Sequence, residues 1–311
     1  MVTAARLHGH GMPLHVEEVP LAPPAVGEVQ VELAYAGVNP VDGYMAAGRV
    51  AADGPLPRTL GGEASGHLDG SPVLVTGAGL GATRDGVWAG AANVPETAVV
   101  QLPPGTGLVE AAAMGVAGLT TWHTVARAGV RPDDRVLVLG AGGGVGLTTV
   151  SLLASIGATV WGQTSSPAKV AAIRQQGADD VVVTDAQGLV EAVAALAPTV
   201  VIDPLGADFT AAALSALEPR GRLVLFGTSA GATSTLDLRD VYRRSLTLYG
   251  YGGLILTDDE RRDGLTDAVA ALVDGRLRIP VHAVLPLGQV EDAFGLLADR
   301  AVTGKLVLDL S

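Results

Sequence analysis

Along residues 135–155 the chain passes from an unbroken apolar run into a glycine-rich turn, and from there into an apolar stripe at helical spacing. Arg135-Val-Leu-Val-Leu leads into Gly140-Ala141-Gly142-Gly143-Gly144-Val145-Gly146, after which Leu147, Val150, Leu153 and Ala154 share one helix face. The pattern predicts strands at 135–140, 158–162, 180–184, 199–203, 221–227 and 246–250, and helices at 144–156, 167–176, 187–196 and 207–217. Strands alternating with helices in this way define an α/β unit with a doubly wound parallel sheet. Upstream the pattern is different. Short alternating runs at Leu14–Val19, Val29–Tyr35, Leu60–Leu68, Val73–Val75 and Ala98–Leu102 are punctuated by Pro and Gly, and predict a partly closed, mostly β unit that gives way to helix around Val109. Beyond Gly252, Thr257-Asp-Asp-Glu260 is a capping-box pattern that opens a helix. A strand near 281–285, a helix near 288–299 and a last strand at Lys305–Leu310 finish the chain, and that last strand is placed to rejoin the first unit.

The strand–turn–helix order at 135–156 is what a dinucleotide pyrophosphate requires. Glycines allow a tight turn and close backbone approach, and the helix start offers free N–H groups and a positive dipole end. The spacing Ala141-x-Gly143-x-x-Gly146 is an Ala-for-Gly variant of the dinucleotide fingerprint; in a chain with 42 glycines the plain alternative is a structural turn. The end of the next strand separates the cofactors. A ribose with a free 2′-OH usually meets an acid there. Here the chain reads Gln163-Thr164-Ser165-Ser166-Pro167-Ala168-Lys169, with hydroxyls and a lysine that suit a 2′-phosphate. Ser166 as an N-cap with Pro167 at the first helical position is the plain alternative, and a capped helix start is itself an anion site. Lys169 and Lys305 are the only lysines among the 20 basic residues, and the expectation is NADPH over NADH.

Composition narrows the class. The 311 residues suffice for two ordinary domains, and 48% of them are apolar. No run reaches the length of a membrane span, and the N-terminus lacks the apolar core of a signal peptide, so a soluble cytoplasmic protein is the expectation. Zero Cys removes disulfides, thiolate metal sites and cysteine nucleophiles. A formal charge of −12 argues against nucleic acid as a partner.

Taken together, Gly37-Val-Asn39-Pro40-Val-Asp42, Gly61-Gly62-Glu63-Ala-Ser-Gly66, Gly118-Leu-Thr120-Thr-Trp122, Gly140 to Gly146, Thr164-Ser-Ser-Pro-Ala-Lys169 and Gly304-Lys305-Leu-Val-Leu resemble the zinc-free quinone oxidoreductase branch of the medium-chain dehydrogenase/reductase superfamily over nearly the whole chain. The resemblance implies a GroES-like, mostly β catalytic domain from residues 1–115 and 252–311, with a Rossmann NADPH-binding domain at 116–251 inserted between. It also implies a homodimer joined through Rossmann edge strands. Zinc-dependent members of that superfamily carry a Cys where Asn39 stands and a His where Gly62 stands, and neither ligand is present. The implied reaction is hydride transfer from NADPH to an acceptor that needs no metal, a quinone or an α,β-unsaturated carbonyl. The alternatives are an enoyl-thioester or polyketide tailoring enoyl reductase, and a non-catalytic NADPH-binding sensor on the same fold.

The resemblance places Asn39 and Thr120 beside the nicotinamide and Gly143, Gly144 and Val145 against the pyrophosphate. It puts Thr164, Ser165, Ser166 and Lys169 around the 2′-phosphate, Phe226 and Gly227 at the nicotinamide end, and Lys305 facing the cofactor. Each has a plain alternative: Asn39 as a turn former before Pro40, Thr120 bonding its own helix, Phe226 as core, Lys305 at a solvated strand end. Tyr44 is a candidate proton donor by its phenol, with an aromatic packed at a cleft rim as the alternative and solvent as the other proton source. The segment Gly66–Val73 is shorter than the hairpin the family carries there.

Overall fold

The computed structural model describes residues 1–311, which divide into two compact units: Met1–Leu119 with Leu256–Val273 and Ile279–Ser311, and Thr120–Ile255 with Asp274–Arg278. The excursion at 274–278 was not expected from the sequence. It belongs to the second unit because the Arg278 backbone N–H donates to Ser151 Oγ (2.9 Å) and its guanidinium to the Gln176 carbonyl (2.7 Å). No helix is long and apolar enough to cross a membrane.

The first unit opens with β1 (Val2–Leu7) and β2 (His15–Val19), an antiparallel pair, followed by the long β3 (Glu28–Val38), helix α1 (Pro40–Ala46) and the short β4 (Arg58–Thr59). Next come β5 (Glu63–Leu68), β6 (Ser71–Thr76), β7 (Ala91–Pro95), β8 (Val99–Gln101) and helix α2 (Leu108–Ala112). Helix α3 (Met114–Ala128) follows, and the division between the units falls within it. Three strands escaped the sequence pattern: β1 and β7, whose alanines dilute their alternation, and the two-residue β4. Helix α1 also escaped it, although Asn39-Pro40-Val41-Asp42 carries the signature of a helix start: a cap residue, Pro at the first position and an acid in the first turn. The expected single strand at Leu60–Leu68 is broken at Gly61. Its φ is +96°, and an added Cβ would fall 2.3 Å from the Trp88 ring. The short hairpin between β5 and β6 turns through Asp69 (φ +50°) and Gly70 (φ +78°), the left-handed pair of a tight two-residue loop.

The second unit holds six strands: β9 (Arg135–Val138), β10 (Thr159–Thr164), β11 (Asp180–Val183), β12 (Val200–Asp203), β13 (Arg222–Leu225) and β14 (Thr247–Gly250). All pair in parallel, in the order β11-β10-β9-β12-β13-β14, so the direction of winding reverses between β9 and β12. The strand period of two builds two cores. Val136, Val138, Val200, Ile202 and Val224 face one layer with α4 (Gly144–Ile156), while Leu137, Leu139, Val201 and Leu223 face the other. Helix α4 runs as expected and ends at Gly157 in the left-handed conformation (φ +87°). Expected helices shorten elsewhere. Residues 167–176 form a 3₁₀ turn (Pro167–Lys169) and then α5 (Val170–Gln175), and 187–196 reduces to α6 (Leu189–Ala192). Helix α7 (Ala207–Ala216) lies between β12 and β13, and α8 (Leu238–Arg243), absent from the sequence pattern, is capped by Asp237.

The chain then returns to the first unit through α9 (Asp258–Val273). Thr257 Oγ1 accepts the Glu260 N–H there, while Glu260 reaches back to the Thr257 N–H, the reciprocal box that the sequence predicts. Strand β15 (Val281–Pro286), helix α10 (Val290–Ala298) and β16 (Lys305–Asp309) follow. Strand β16 inserts between β15 and β3 in the order β15-β16-β3-β5-β6-β8, with β7 also on β3. The last strand is therefore central to the first unit's main sheet.

Helix α4 sits so close to the turn after β9 that a Cβ at Gly146 would lie 2.6 Å from the Gly140 carbonyl oxygen and 2.7 Å from the Ala141 Cα. Gly146→Ala is expected to destabilise the protein by about 1–3 kcal/mol through this overpacking, read as a lower midpoint of thermal unfolding.

Candidate functional site

In the second unit the expected cofactor residues gather at the C-terminal ends of the strands. Gly140 follows β9 with φ +58°, a conformation that side chains disfavour. Gly143 is the N-cap of α4 and has no side chain to spend on capping, so the N–H groups of Gly144, Val145 and Gly146 begin the helix without intrahelical acceptors. The aliphatic stem of Lys169 lies across Gly142, where an added Cβ would be 2.6 Å from its Cδ. The glycine turn and the lysine, 27 positions apart in the sequence, are thus neighbours.

Gln163, unremarked in the sequence, fixes this end of the sheet. Its Oε1 accepts the Gly140 N–H (3.0 Å) and its Nε2 donates to the Thr184 carbonyl (2.6 Å), bridging the turns after β9 and β11. The polar residue at the end of β10 is therefore spent inside the protein. Thr164, Ser165 and Ser166 follow it. Ser166 holds the N-cap position of the 3₁₀ turn without a side-chain cap bond, while its N–H donates to Thr164 Oγ1 (3.1 Å). Thr120 is buried in α3. Its neighbour Thr121 donates to the Val145 carbonyl (3.4 Å), which docks this part of α3 on the start of α4. Phe226 packs partly against the core, and Gly227 runs so close to Pro204 that a Cβ would be 2.7 Å from its carbonyl.

The first unit contains a buried polar network that the sequence only partly announced. Asn39 (4% exposed), Glu63 (0%) and Lys305 (4%) meet there. Lys305 Nζ donates to Glu63 Oε1 (2.8 Å), to the Val38 carbonyl (3.4 Å) and to Asn39 Oδ1. Asn39 Nδ2 donates to Glu63 Oε1 (2.6 Å), and Glu63 Oε2 accepts the Val116 N–H in the first turn of α3 (2.7 Å). A carboxylate at a helix start gains from the dipole as well as from the bond. Two glycines make room for it. A Cβ at Gly37 would be 2.2 Å from Glu63 Oε1, and one at Gly115 would be 2.9 Å from Glu63 Cβ. Lys305, expected to face the cofactor or to end a strand in solvent, instead has all three ammonium hydrogens directed at oxygens of its own unit. Glu63 stood in the quoted Gly-Gly-Glu motif without a role; it is the one acid of β5 and is fully buried.

Asp42 lies beside this network. It is buried, accepts the Asn39 N–H at 2.7 Å, and its carboxyl is pushed up from 3.8 to about 7. Burial is the main cause, opposed by the Asn39 backbone bond; Glu63 adds to the rise and Lys305 opposes it. Tyr44, on α1, is 38% exposed and makes none of the network's hydrogen bonds.

With this geometry established, comparison with known proteins defines the class. Residues 144–267 match the family described as zinc-binding dehydrogenase. A quinone oxidoreductase of Pseudomonas aeruginosa is 30% identical over 305 residues, covering 92% of each chain. The spectinabilin polyketide synthase system protein NorB of Streptomyces orinoci is 34% identical over 303 residues, 93% of this chain and 13% of that far longer one. Among solved structures, the quinone oxidoreductase of Thermus thermophilus, determined also as its NADPH complex, superposes with a TM-score of 0.85 at 29% identity over 99% of this chain and 100% of that one. The chain belongs to the quinone oxidoreductase branch of the medium-chain dehydrogenase/reductase superfamily.

The folded state keeps Asp42 protonated up to about pH 7, whereas the unfolded chain releases that proton near 3.8. Between those values the folded state binds more protons. The stabilisation is therefore fully present below the unfolded value and is lost as pH rises, at up to about 1.4 kcal/mol per pH unit. Asp42→Asn, which keeps an acceptor for the Asn39 N–H, is expected to remove that component of the slope in denaturant unfolding measured between pH 4 and 7.

Proposed function

We propose that this chain is an NADPH-dependent reductase that delivers hydride to a quinone or an α,β-unsaturated carbonyl without a metal ion. The observation that carries the reading is the uncapped start of α4 with Lys169 laid across the adjoining glycine turn. It joins an N–H cradle for a pyrophosphate to a cation and two serines for a further phosphate, a donor set that fits NADPH. The NADPH complex of the Thermus thermophilus relative supports the same choice.

Zinc does not fit the first unit's polar network. Its centre already holds the Lys305 ammonium, which would repel a second cation, and the chain has no Cys to complete a ligand set. Bound nicotinamide would supply the hydride. The second unit's own residues do the rest: the N–H groups of Gly144, Val145 and Gly146 hold the pyrophosphate, Ser165, Ser166 and Lys169 hold the 2′-phosphate, and Thr120 orients the nicotinamide. Without a Lewis acid the acceptor itself must take hydride readily, which selects quinones and activated double bonds. Tyr44 is exposed, so its phenol has no shielding that sets it apart from water as the proton source. The similarity to a polyketide synthase protein supports an enoyl-thioester acceptor as the second reading.

A homodimer forms part of the proposal. Strand β14 is an open edge of the second unit's sheet, and exposed Leu238, Tyr242, Leu248, Leu254 and Ile255 lie on or near it in sequence. Light scattering is expected to give twice the 31.3 kDa chain mass, and Leu248→Lys to shift the species toward monomer.

The functional test is NADPH and NADH oxidation against an ortho-quinone, a 2-alkenal, an enone and an enoyl thioester. Turnover is expected with NADPH on at least one acceptor. Faster turnover with NADH overturns the phosphate-site argument, and tight NADPH binding with no turnover favours a sensor. Lys169→Ala is expected to raise the KM for NADPH by about tenfold, the worth of a charge-assisted hydrogen bond, with little change for NADH.

A further inference from the structure

Gly140 leaves β9 in the left-handed conformation, and its N–H meets no main-chain carbonyl. The residues on either side of it keep main-chain partners. Leu139 N–H donates to the Ile202 carbonyl (3.0 Å) and Ala141 N–H to the Gln163 carbonyl (2.8 Å). The Gly140 N–H between them donates to Gln163 Oε1 (3.0 Å), so one residue of β10 supplies an acceptor to each of two consecutive residues of the turn. Gln163 Nε2 donates in turn to the Thr184 carbonyl (2.6 Å) beyond β11. With its oxygen facing a donor and its nitrogen an acceptor, the amide has one orientation. Gln163 is 1% exposed, so solvent does not stand in for either bond.

The hold on Gly140 reaches α4 in a single step. The Gly140 carbonyl accepts the Gly143 N–H (3.1 Å), which closes the turn, and Gly143 is the N-cap of α4. Gly146 rests on the same carbonyl. The free N–H groups at the helix start therefore stand on a residue whose own N–H is fixed by Gln163. Strand β10 has no room to shift in compensation: a Cβ at Gly162 would lie 2.5 Å from Ile173 Cγ2 and 3.0 Å from the Ala141 Cβ.

We propose that Gln163 is a positioning residue for the dinucleotide. Its amide fixes Gly140, and through Gly140 the N–H groups that hold the pyrophosphate, with the Thr184 carbonyl as its second anchor; it touches no phosphate itself. The inference rests on the dinucleotide reading above. It sets Gln163 apart from Lys169, because the pyrophosphate is common to NADPH and NADH whereas the 2′-phosphate is not.

Calorimetric binding of NADP⁺ and NAD⁺ to the full chain tests this, the oxidised forms being stable in acid. Gln163→Met keeps the length of the side chain and neither bond. It is expected to weaken both dinucleotides alike by about tenfold, the loss of roughly one hydrogen bond's worth of positioning. Gln163→Glu separates the two anchors. Its carboxylate accepts from Gly140 but meets the Thr184 carbonyl without a hydrogen, and protonation supplies that hydrogen. Measured against wild type at the same pH, its affinity is expected to be low at about pH 8 and to recover at about pH 5.5, with no such recovery in Gln163→Met.

A loss confined to NADP⁺ overturns the proposal and makes Gln163 part of the 2′-phosphate site. A Gln163→Glu deficit of the same size at both pH values overturns it as a matter of side-chain fit alone. A lower unfolding midpoint with unchanged affinity for both dinucleotides leaves Gln163 a purely structural role and overturns it as well. Should Gln163→Met not fold, the pH series on Gln163→Glu decides the matter by itself. Failure of the wild-type chain to bind either dinucleotide removes the dinucleotide reading, and the positioning role with it; wild-type binding matched by both variants removes the positioning role alone.

Discussion

The buried pair of Lys305 and Glu63 is the constraint around which the first unit is arranged. Two opposite charges withdrawn from water cost several kcal/mol each, and their attraction offsets this only where further hydrogen bonds complete both groups. The structure meets that demand from four elements: the end of β3, β5, the start of α3 and β16. Glycines at 37 and 115 follow from the same requirement, because a side chain at either would strike Glu63. Replacing one partner alone would leave an uncompensated charge at full burial.

The second unit is organised on a different principle. Its strands bury both faces, so continuous apolar runs suffice to set the sheet, and the polar work is confined to the strand ends. There the Gln163 amide ties the Gly140 turn to the turn after β11, and the open start of α4 and the stem of Lys169 adjoin that glycine turn. One unit therefore keeps its polar groups paired internally, and the other leaves backbone donors unspent at a surface.

This difference accounts for what the sequence revealed. The parallel sheet, α4 and the glycine turn were legible because each is written in adjacent residues: an apolar run, a breaker, a helical stripe. The capping box at Thr257 was legible for the same reason. The network at Asn39 was not. Residues 39, 63 and 305 are brought together by strand pairings that no local period encodes, and burial alone distinguishes a lysine inside a network from one at a solvated strand end. Gln163 carries no signal of its bridging role, because its two partners, Gly140 and Thr184, lie on other strands' turns. Strands β1 and β7 were lost to alanine, which packs well in a strand but carries little pattern.

The insertion of β16 between β15 and β3 bears on how the chain is made. Synthesis runs from the N-terminus, so β3 and β5 emerge early, while Lys305 emerges after the whole of the second unit. Until then Glu63 has no cation and β3 presents an open edge to solvent. The second unit, whose strands are all complete by Gly250, can fold on the ribosome first, and the early segment must wait for it. During that interval the nascent chain carries an acid without its cation and a strand edge without its partner.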